Sequence, residues 1–363
     1  MKSSIERIVA LSNGKSTDRV LVDLGTYGHG ALQMGSSAGA TLGRSGHEKC
    51  LADGSRHSLC VHAPAAKVLG SDLLRVGWHR RAGARTGDAL PGVSVGLFWL
   101  LGDRKKARLS ETEILSLRLP DEAPWPLKTD APGQRDDSLV RALAPPIEGP
   151  LAILAGLLGR TALRELLEKQ PRSAARLLDW AFSTYSEVYA RVISGLAEQP
   201  HVVWHVDDFV AAPLAAVRKQ LLPRWRECLR QAGNRALTAM KCDENAWAVL
   251  PDLAKAGVEI ASPAGGTEHA AVLRARRAVP DQMILHGVTD FDALFDALRK
   301  GRAQALIDLA GDLAQLWPVI ASPRAPLPRR VSLADLTWAA EYLKTLDVGN
   351  HLARREVLAE RHA

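Results

Sequence analysis

Residues 236–261, ALTAMKCDENAWAVLPDLAKAGVEIA, decide the fold. Residues 236–240 are a short apolar run suited to a buried strand, and residues 247–256 predict a helix stopped by Gly257. Residues 258–261 then start a second strand. Strand, helix, strand in that order is the crossover unit of a parallel sheet. The same rhythm continues on both sides. Downstream come a helix over 267–278, a strand over 282–285, helices over 291–299 and 302–314, a strand over 317–321 and a helix over 333–346. Upstream lies the strand VVWHV, residues 202–206, followed by a helix over 214–232 that Pro223 is expected to kink or break. A long helix opens at Pro171, where proline is tolerated in the first turn. Leu178, Phe182, Tyr185, Tyr189 and Ile193 recur along it at three- and four-residue steps, a core-facing stripe whose aromatics are assigned to packing.

The first half repeats the pattern more faintly. A helix over 3–12 closes at Asn13 and Gly14, a strand over 19–24 (RVLVDL) runs into the loop GTYGHG, and a second strand is expected over 72–76. The third strand is expected over 151–155, before a helix over 162–169. Residues 79–148, with turn clusters, an apolar run over 93–101 and a proline-rich stretch from 120, interrupt the alternation. They are taken as an elaboration inserted after the second strand, within one domain spanning residues 1–363. Eight strand-then-helix units predict a closed (β/α)8 TIM barrel.

Composition narrows the function. Apolar residues are 47% of the 363, ample for a packed core, and charged residues are 24%. The net charge of +7 favours anionic ligands, but the basic residues are spread over helix faces and aromatics are only 5%. No basic stripe interleaves with aromatic side chains, so a nucleic-acid partner is not expected. Cys50, Cys60, Cys228 and Cys242 lack a CxxC or zinc-ribbon spacing. The opening MKSSIERIVALSNGK has no secretory apolar region, and no run approaches the ~18 apolar residues of a membrane span. A cytoplasmic protein with reduced thiols and no membrane partner is the expectation.

In a barrel of this kind chemistry belongs at the carboxyl ends of the strands. The polar residues there are Asp23, Thr26, Tyr27 and His29 after the first strand, and His205, Asp207 and Asp208 after the fourth. The fifth offers Cys242, Asp243, Glu244 and Asn245, the sixth Ser262, the seventh His286 and Asp290, and the eighth Ser322 and Arg324. Alternation puts His205 and Asp207 on one side of their strand and Asp208 on the other. An imidazole and a carboxylate sharing a side can orient a proton or grip a polar ligand. The expected catalytic set is therefore His205 as acid or base, Asp207 orienting it, and Tyr27 and His29 closing over the ligand. Asp208, Thr26, Asn245, His286 and Ser262 are the expected substrate contacts.

Several motifs in order resemble the uroporphyrinogen decarboxylase superfamily, which includes corrinoid and coenzyme M methyltransferases. ERIVALSNGKSTDRVLVDLG resembles its opening helix and strand, and GPLAILAGLLG its G-P-f-t-l-a segment. HVDDFVAAPLAAVRKQLLP resembles its D-D-x-a strand end, and KCDENAWAVLPDLAKAGVE lies where H-x-C-G-N would stand. MILHGVTDFDALF and PLPRRVSLADLTWAAEYL are similar to its l-h-G-n-x-D-p and terminal P-x-t-P-x-E-N-i elements. The resemblance covers nearly the whole chain. It implies a barrel with a deep cleft, a homodimer, and action on tetrapyrroles or methyl groups. GTYGHG carries no arginine where the decarboxylases have an M-R-Q-A-G-R loop, so a polycarboxylate porphyrinogen loses its guanidinium fork. VDLG and the paired aspartates look more like the methyltransferase-type branch, which implies a small substrate and a corrinoid, or corrinoid protein, as methyl donor. That branch binds zinc through H-x-C after the fifth strand and a later cysteine. Here Met240 replaces the histidine and only Cys242 remains, leaving the zinc set incomplete unless Asp243, Glu244, His286 or His205 rebuild it. Two further expectations stand beside methyl transfer: a metal-independent, decarboxylase-like lyase on a non-porphyrin acid, and a non-catalytic barrel that binds a ligand or partner.

Overall fold

The computed structural model describes residues 2–24, 48–49, 60–61, 63–79, 100, 108–121, 128–129, 138–144, 146–196, 199–231, 236–241, 248–262, 269–324, 327 and 331–346. Its centre is a ring of eight parallel strands. These are β1 (Leu21–Val22), β2 (Leu73–His79), β3 (Val140–Ala144), β4 (Val202–Val206), β5 (Leu237–Lys241), β6 (Ile260–Ser262), β7 (Ile284–His286) and β8 (Val319–Ala321). Parallel ladders join β2 to β3 and then each strand in turn round to β8 and back to β1. The chain is a (β/α)8 TIM barrel.

The remaining seam, between β1 and β2, is closed chiefly by Asp72, with the Ser71 hydroxyl making longer contacts to Val22 and Leu24 beside it. The Asp72 N–H donates to the Val22 carbonyl at 2.7 Å, and the Val22 N–H donates to the Asp72 carboxylate at 2.9 Å. The same carboxylate accepts from the Arg19 guanidinium at 2.6 and 2.7 Å and from Ser4 Oγ at 2.6 Å. Burial works to raise the Asp72 pKa, but Arg19, Lys344 and Ser4 together outweigh it and hold the carboxyl below its usual range.

Helices clad the ring: α1 (Ser4–Ser12), α2 (Ala63–Leu69), α3 (Glu111–Ser116), α4 (Pro150–Leu158), α5 (Arg160–Lys169), α6 (Pro171–Ser194), α7 (Leu222–Gln231), α8 (Leu250–Ala256), α9 (His269–Ala278), α10 (Phe291–Arg299), α11 (Ala303–Gln315) and α12 (Leu333–Thr345). Helix α1 starts with a capping box between Ser3 and Glu6, and its Ile8 and Leu11 plug the amino-terminal end of the barrel. Pro223 is accommodated by a π-helical turn, Val217–Leu221, placed just before α7, so the expected break is a local widening. Among the described residues no helix is long and apolar enough to cross a membrane.

Strand alternation sorts side chains into two layers. Leu21, Trp204, Ala239, Ile260, Ile284 and Ile320 pack inside the barrel with the α1 plug. Their neighbours Val22, Val203, Met240, Ala261, Leu285 and Ala321 pack outward against the helices.

The third strand differs from expectation. Residues 151–155 lie inside α4, and the strand is Val140–Ala144, within the 79–148 segment assigned to an elaboration. A short continuous apolar run does not distinguish a buried strand from a buried helix. The deciding local signal is Gly149 followed by Pro150 at the first helical position. Two short antiparallel additions fall in the first half: Lys128–Thr129 pairs with the end of β2, and Glu48–Lys49 pairs with Cys60–Val61.

Asp72→Ala is expected to cost about 3 kcal/mol or more, since it strands Arg19 and opens the seam. Urea unfolding of the variant, compared with Arg19→Ala alone and with both changes together, measures how far the two groups act as one unit.

Candidate functional site

The mouth is built from strand ends that share one pattern. LVD at residues 21–23, IAS at 260–262, ILH at 284–286 and IAS at 320–322 each place an apolar residue inward and a polar one two residues later. Lys241, two residues after the inward Ala239, adds a fifth polar position in register with Ser262. Polar side chains thus form a layer directly above the apolar filling of the barrel.

Three of them are joined. His286 Nε2 lies 2.9 Å from Asp23 Oδ2, and His286 Nδ1 lies 3.2 Å from Ser262 Oγ. All three residues are buried, none more than 2% exposed. An ionised Asp23 carboxylate can only accept, which places hydrogen on Nε2 and leaves the Nδ1 lone pair to accept from the Ser262 hydroxyl. Trp204 supports the imidazole edge-on from below, with ring centroids 4.8 Å apart. Gly287 has φ +70°, and a Cβ there would stand 2.9 Å from Ser262 Oγ and 3.8 Å from the Pro323 carbonyl. Glycine is therefore needed twice over, for its backbone and for the room beside the hydroxyl. The Ser322 and Thr289 hydroxyls are also buried, and neither has a hydrogen-bond partner among the described residues.

His205 and Asp207 share a side, as expected, but it is the helix side. His205 accepts from the Tyr185 hydroxyl of α6 at 2.7 Å, stacks on Tyr189 and meets Trp225 of α7 edge-on. Burial holds its pKa at about 3 and pushes Tyr185 well above the usual phenol range, so the phenol donates and the imidazole stays neutral. Asp207 Oδ1 accepts from the backbone N–H groups of Ala152 (2.8 Å) and Asp208 (3.1 Å), and Oδ2 from Trp225 Nε1 (3.2 Å). It thereby caps the first turn of α4. A Cβ on Gly149 would sit 2.3 Å from the Asp207 carboxyl carbon, so only glycine allows this approach. Burial raises the Asp207 pKa to about 7 against those hydrogen bonds.

Of the expected site residues, the structure brings Ser262 and His286 together with Asp23, and keeps His205 and Asp207 in a separate layer. Asp208 pairs with Arg160 at the start of α5 at 2.5 Å, and its other oxygen is buried without a partner among the described residues. Thr26, Tyr27, His29, Cys242 and Asn245 lie outside the described residues. The link from Asp23 to His286 was missed in the sequence, although the repeated apolar–x–polar strand ends carry its signal.

Comparison with known proteins adds a fold likeness. No family model and no curated protein matches the chain. Among solved structures, a methyltransferase from Methanosarcina mazei superposes with a TM-score of 0.54 at 11% sequence identity, over 94% of this chain and 98% of that one. The likeness is one of barrel architecture across almost the full length of both.

The two outer-layer groups give opposed pH dependences. Folded Asp207 keeps until about pH 7 a proton that the unfolded chain releases near its ordinary 3.8, so its contribution is lost as pH rises through that window. His205, held at about 3 against an ordinary 6.5, contributes stability that is lost as pH falls below 6.5. Between about pH 4.5 and 6.5 the slopes should largely cancel in the natural chain. His205→Phe should then lose stability with rising pH and Asp207→Asn should gain it, each by up to ~1.4 kcal/mol per pH unit in urea titrations.

Proposed function

We propose that the chain is an enzyme that moves a one-carbon group, with a methyl group as first choice, on a small or corrinoid-bound substrate. In this proposal it is a divergent member of the methyltransferase-type branch of the uroporphyrinogen decarboxylase superfamily. Asp23 and His286 form its acid–base centre. The observation that carries the assignment is the buried Asp23–His286–Ser262 chain at the carboxyl ends of β1, β7 and β6. Three polar side chains inside an apolar barrel cost desolvation that an aliphatic layer would avoid. The strand-end location is where barrels of this class place their chemistry.

His286 Nδ1 is the basic atom. An acceptor X–H that takes the place of the Ser262 hydroxyl gives its proton to Nδ1 as X bonds to the methyl carbon. The bond between that carbon and its donor breaks, and the electron pair leaves with the donor. Asp23 holds the ring and stabilises the imidazolium that results. The barrel interior excludes water and strengthens both interactions.

The zinc set of the resembling methyltransferases does not fit the residues described. Met240 stands where their histidine would be, and its side chain is buried in the outer layer, away from the mouth. Ser322, rather than a cysteine, ends β8, and among the described residues no three His, Cys, Asp or Glu side chains converge as ligands. Cys242, Asp243 and Glu244 lie outside the described residues, and in this proposal acceptor activation falls to the imidazole.

One observation favours a lyase as second reading. The position of Lys241 in the same polar layer suits a substrate carboxylate, and His286 run in reverse delivers a proton to a carbanion-like carbon.

Turnover with methylcobalamin and a series of small thiols, followed in the visible spectrum, is expected to fall about 100-fold or more in His286→Gln, a variant that keeps one ring-like hydrogen bond. His205→Phe, if folded by circular dichroism, is expected to keep its rate. Unchanged turnover in His286→Gln would remove the assignment. A spectrum indifferent to methylcobalamin, with carbon dioxide released from a small acid, would transfer the site to the lyase.

A further inference from the structure

We propose that Ser262 is itself a nucleophile, giving the barrel a second activity: acyl transfer from, and hydrolysis of, small esters or thioesters. The inference uses the same histidine as the proposed methyl transfer but needs no methyl donor.

The geometry has the three parts that serine acylation requires. A hydroxyl lies 3.2 Å from an imidazole nitrogen, and the opposite nitrogen lies 2.9 Å from a buried carboxylate. The carboxylate fixes the tautomer so that the lone pair faces the hydroxyl. The flank of Ser262 Oγ is kept clear by Gly287, where even one added carbon would come within 2.9 Å. That side of the oxygen is the one left without a side chain, and in this proposal the acyl carbon comes in there. Stabilisation of the developing charge is assigned in this proposal to Ser322. Its hydroxyl is fully buried and unpartnered at the end of β8, and Thr289 contributes a second of the same kind. The two residues are tied by the Thr289 N–H donating to the Ser322 carbonyl at 3.1 Å, and Pro323, next in the chain, borders the Gly287 gap. Buried hydroxyls without a partner carry a cost that an incoming oxyanion would relieve.

The step balances within the site. Ser262 Oγ bonds to the acyl carbon while its proton passes to His286 Nδ1, and the carbonyl electron pair moves onto oxygen facing the hydroxyl donors. Collapse breaks the bond to the alcohol or thiol, which leaves with the proton from Nδ1. Water then follows the same route to release the acid and free serine.

The test is acetylation of the full chain by p-nitrophenyl acetate with no methyl donor present. The expected result is a burst of about one p-nitrophenolate per chain and an acetyl group on the Ser262 peptide by mass spectrometry. Ser262→Ala should abolish the burst, and Asp23→Asn should slow it by about 10³–10⁴-fold. Acetyl groups confined to lysines or histidines, or no acetylation at all, would overturn the proposal. Peptide mapping of the natural chain decides the matter even if a variant does not fold. A negative result alongside His286-dependent methyl transfer would sink the nucleophile alone, while the positive result does not depend on any methyl chemistry.

Discussion

The barrel depends on one carboxylate. β1 is only two residues long, Leu21–Val22, and it is the edge where the ring must shut. Asp72 supplies through its side chain and its own N–H the hydrogen bonds that a longer ladder would have made, and Arg19 and Ser4 make its burial tolerable. The residue after Val22 is Asp23, so the seam that closes the ring also sets the carboxylate that faces His286. Closure and site geometry are one constraint. An error of a fraction of an ångström at Val22 would pass directly into the 2.9 Å contact with the imidazole.

The same strands carry two polar clusters back to back. Inside, Asp23, His286 and Ser262 meet above Trp204. Outside, His205 and Asp207 tie β4 to α6, α4 and α7 through Tyr185, Ala152 and Trp225. The outer cluster is well satisfied by its neighbours, and its groups act as cross-braces. Ser322, in the inner layer, and Thr289, tied to it through the backbone, retain hydroxyls without a partner among the described residues. That contrast is why function is assigned to the inner layer, although strong shifts at His205 and Asp207 mark the outer one.

Much of this was legible in residues alone. The strand–helix succession from residue 202 onward gave the barrel, and seven of the eight strands fall close to the expected positions. The missed strand, Val140–Ala144, lies among irregular turns, whereas LAILAGLL is as apolar as a strand but is wound into α4 by its Gly–Pro start. For the site, alternation correctly grouped His205 with Asp207. It could not say which side faced the mouth, because a strand buried on both faces has no polar side to mark the outside. VVWHV offers Trp204 inward and His205 outward with equal burial. The comparison that resolves the question runs between strands: LVD, IAS, ILH and IAS repeat one inward polar step, and His205 is out of phase with them.

Trp204 has a consequence beyond support. Its indole meets the His286 ring edge-on at 4.8 Å in a region closed to water. A proton arriving on that ring puts a full charge beside the most environment-sensitive fluorophore a protein carries, with little solvent to screen it. The floor of the barrel is thus a built-in optical gauge, able to report the occupancy and ionisation of the chamber above without any added label.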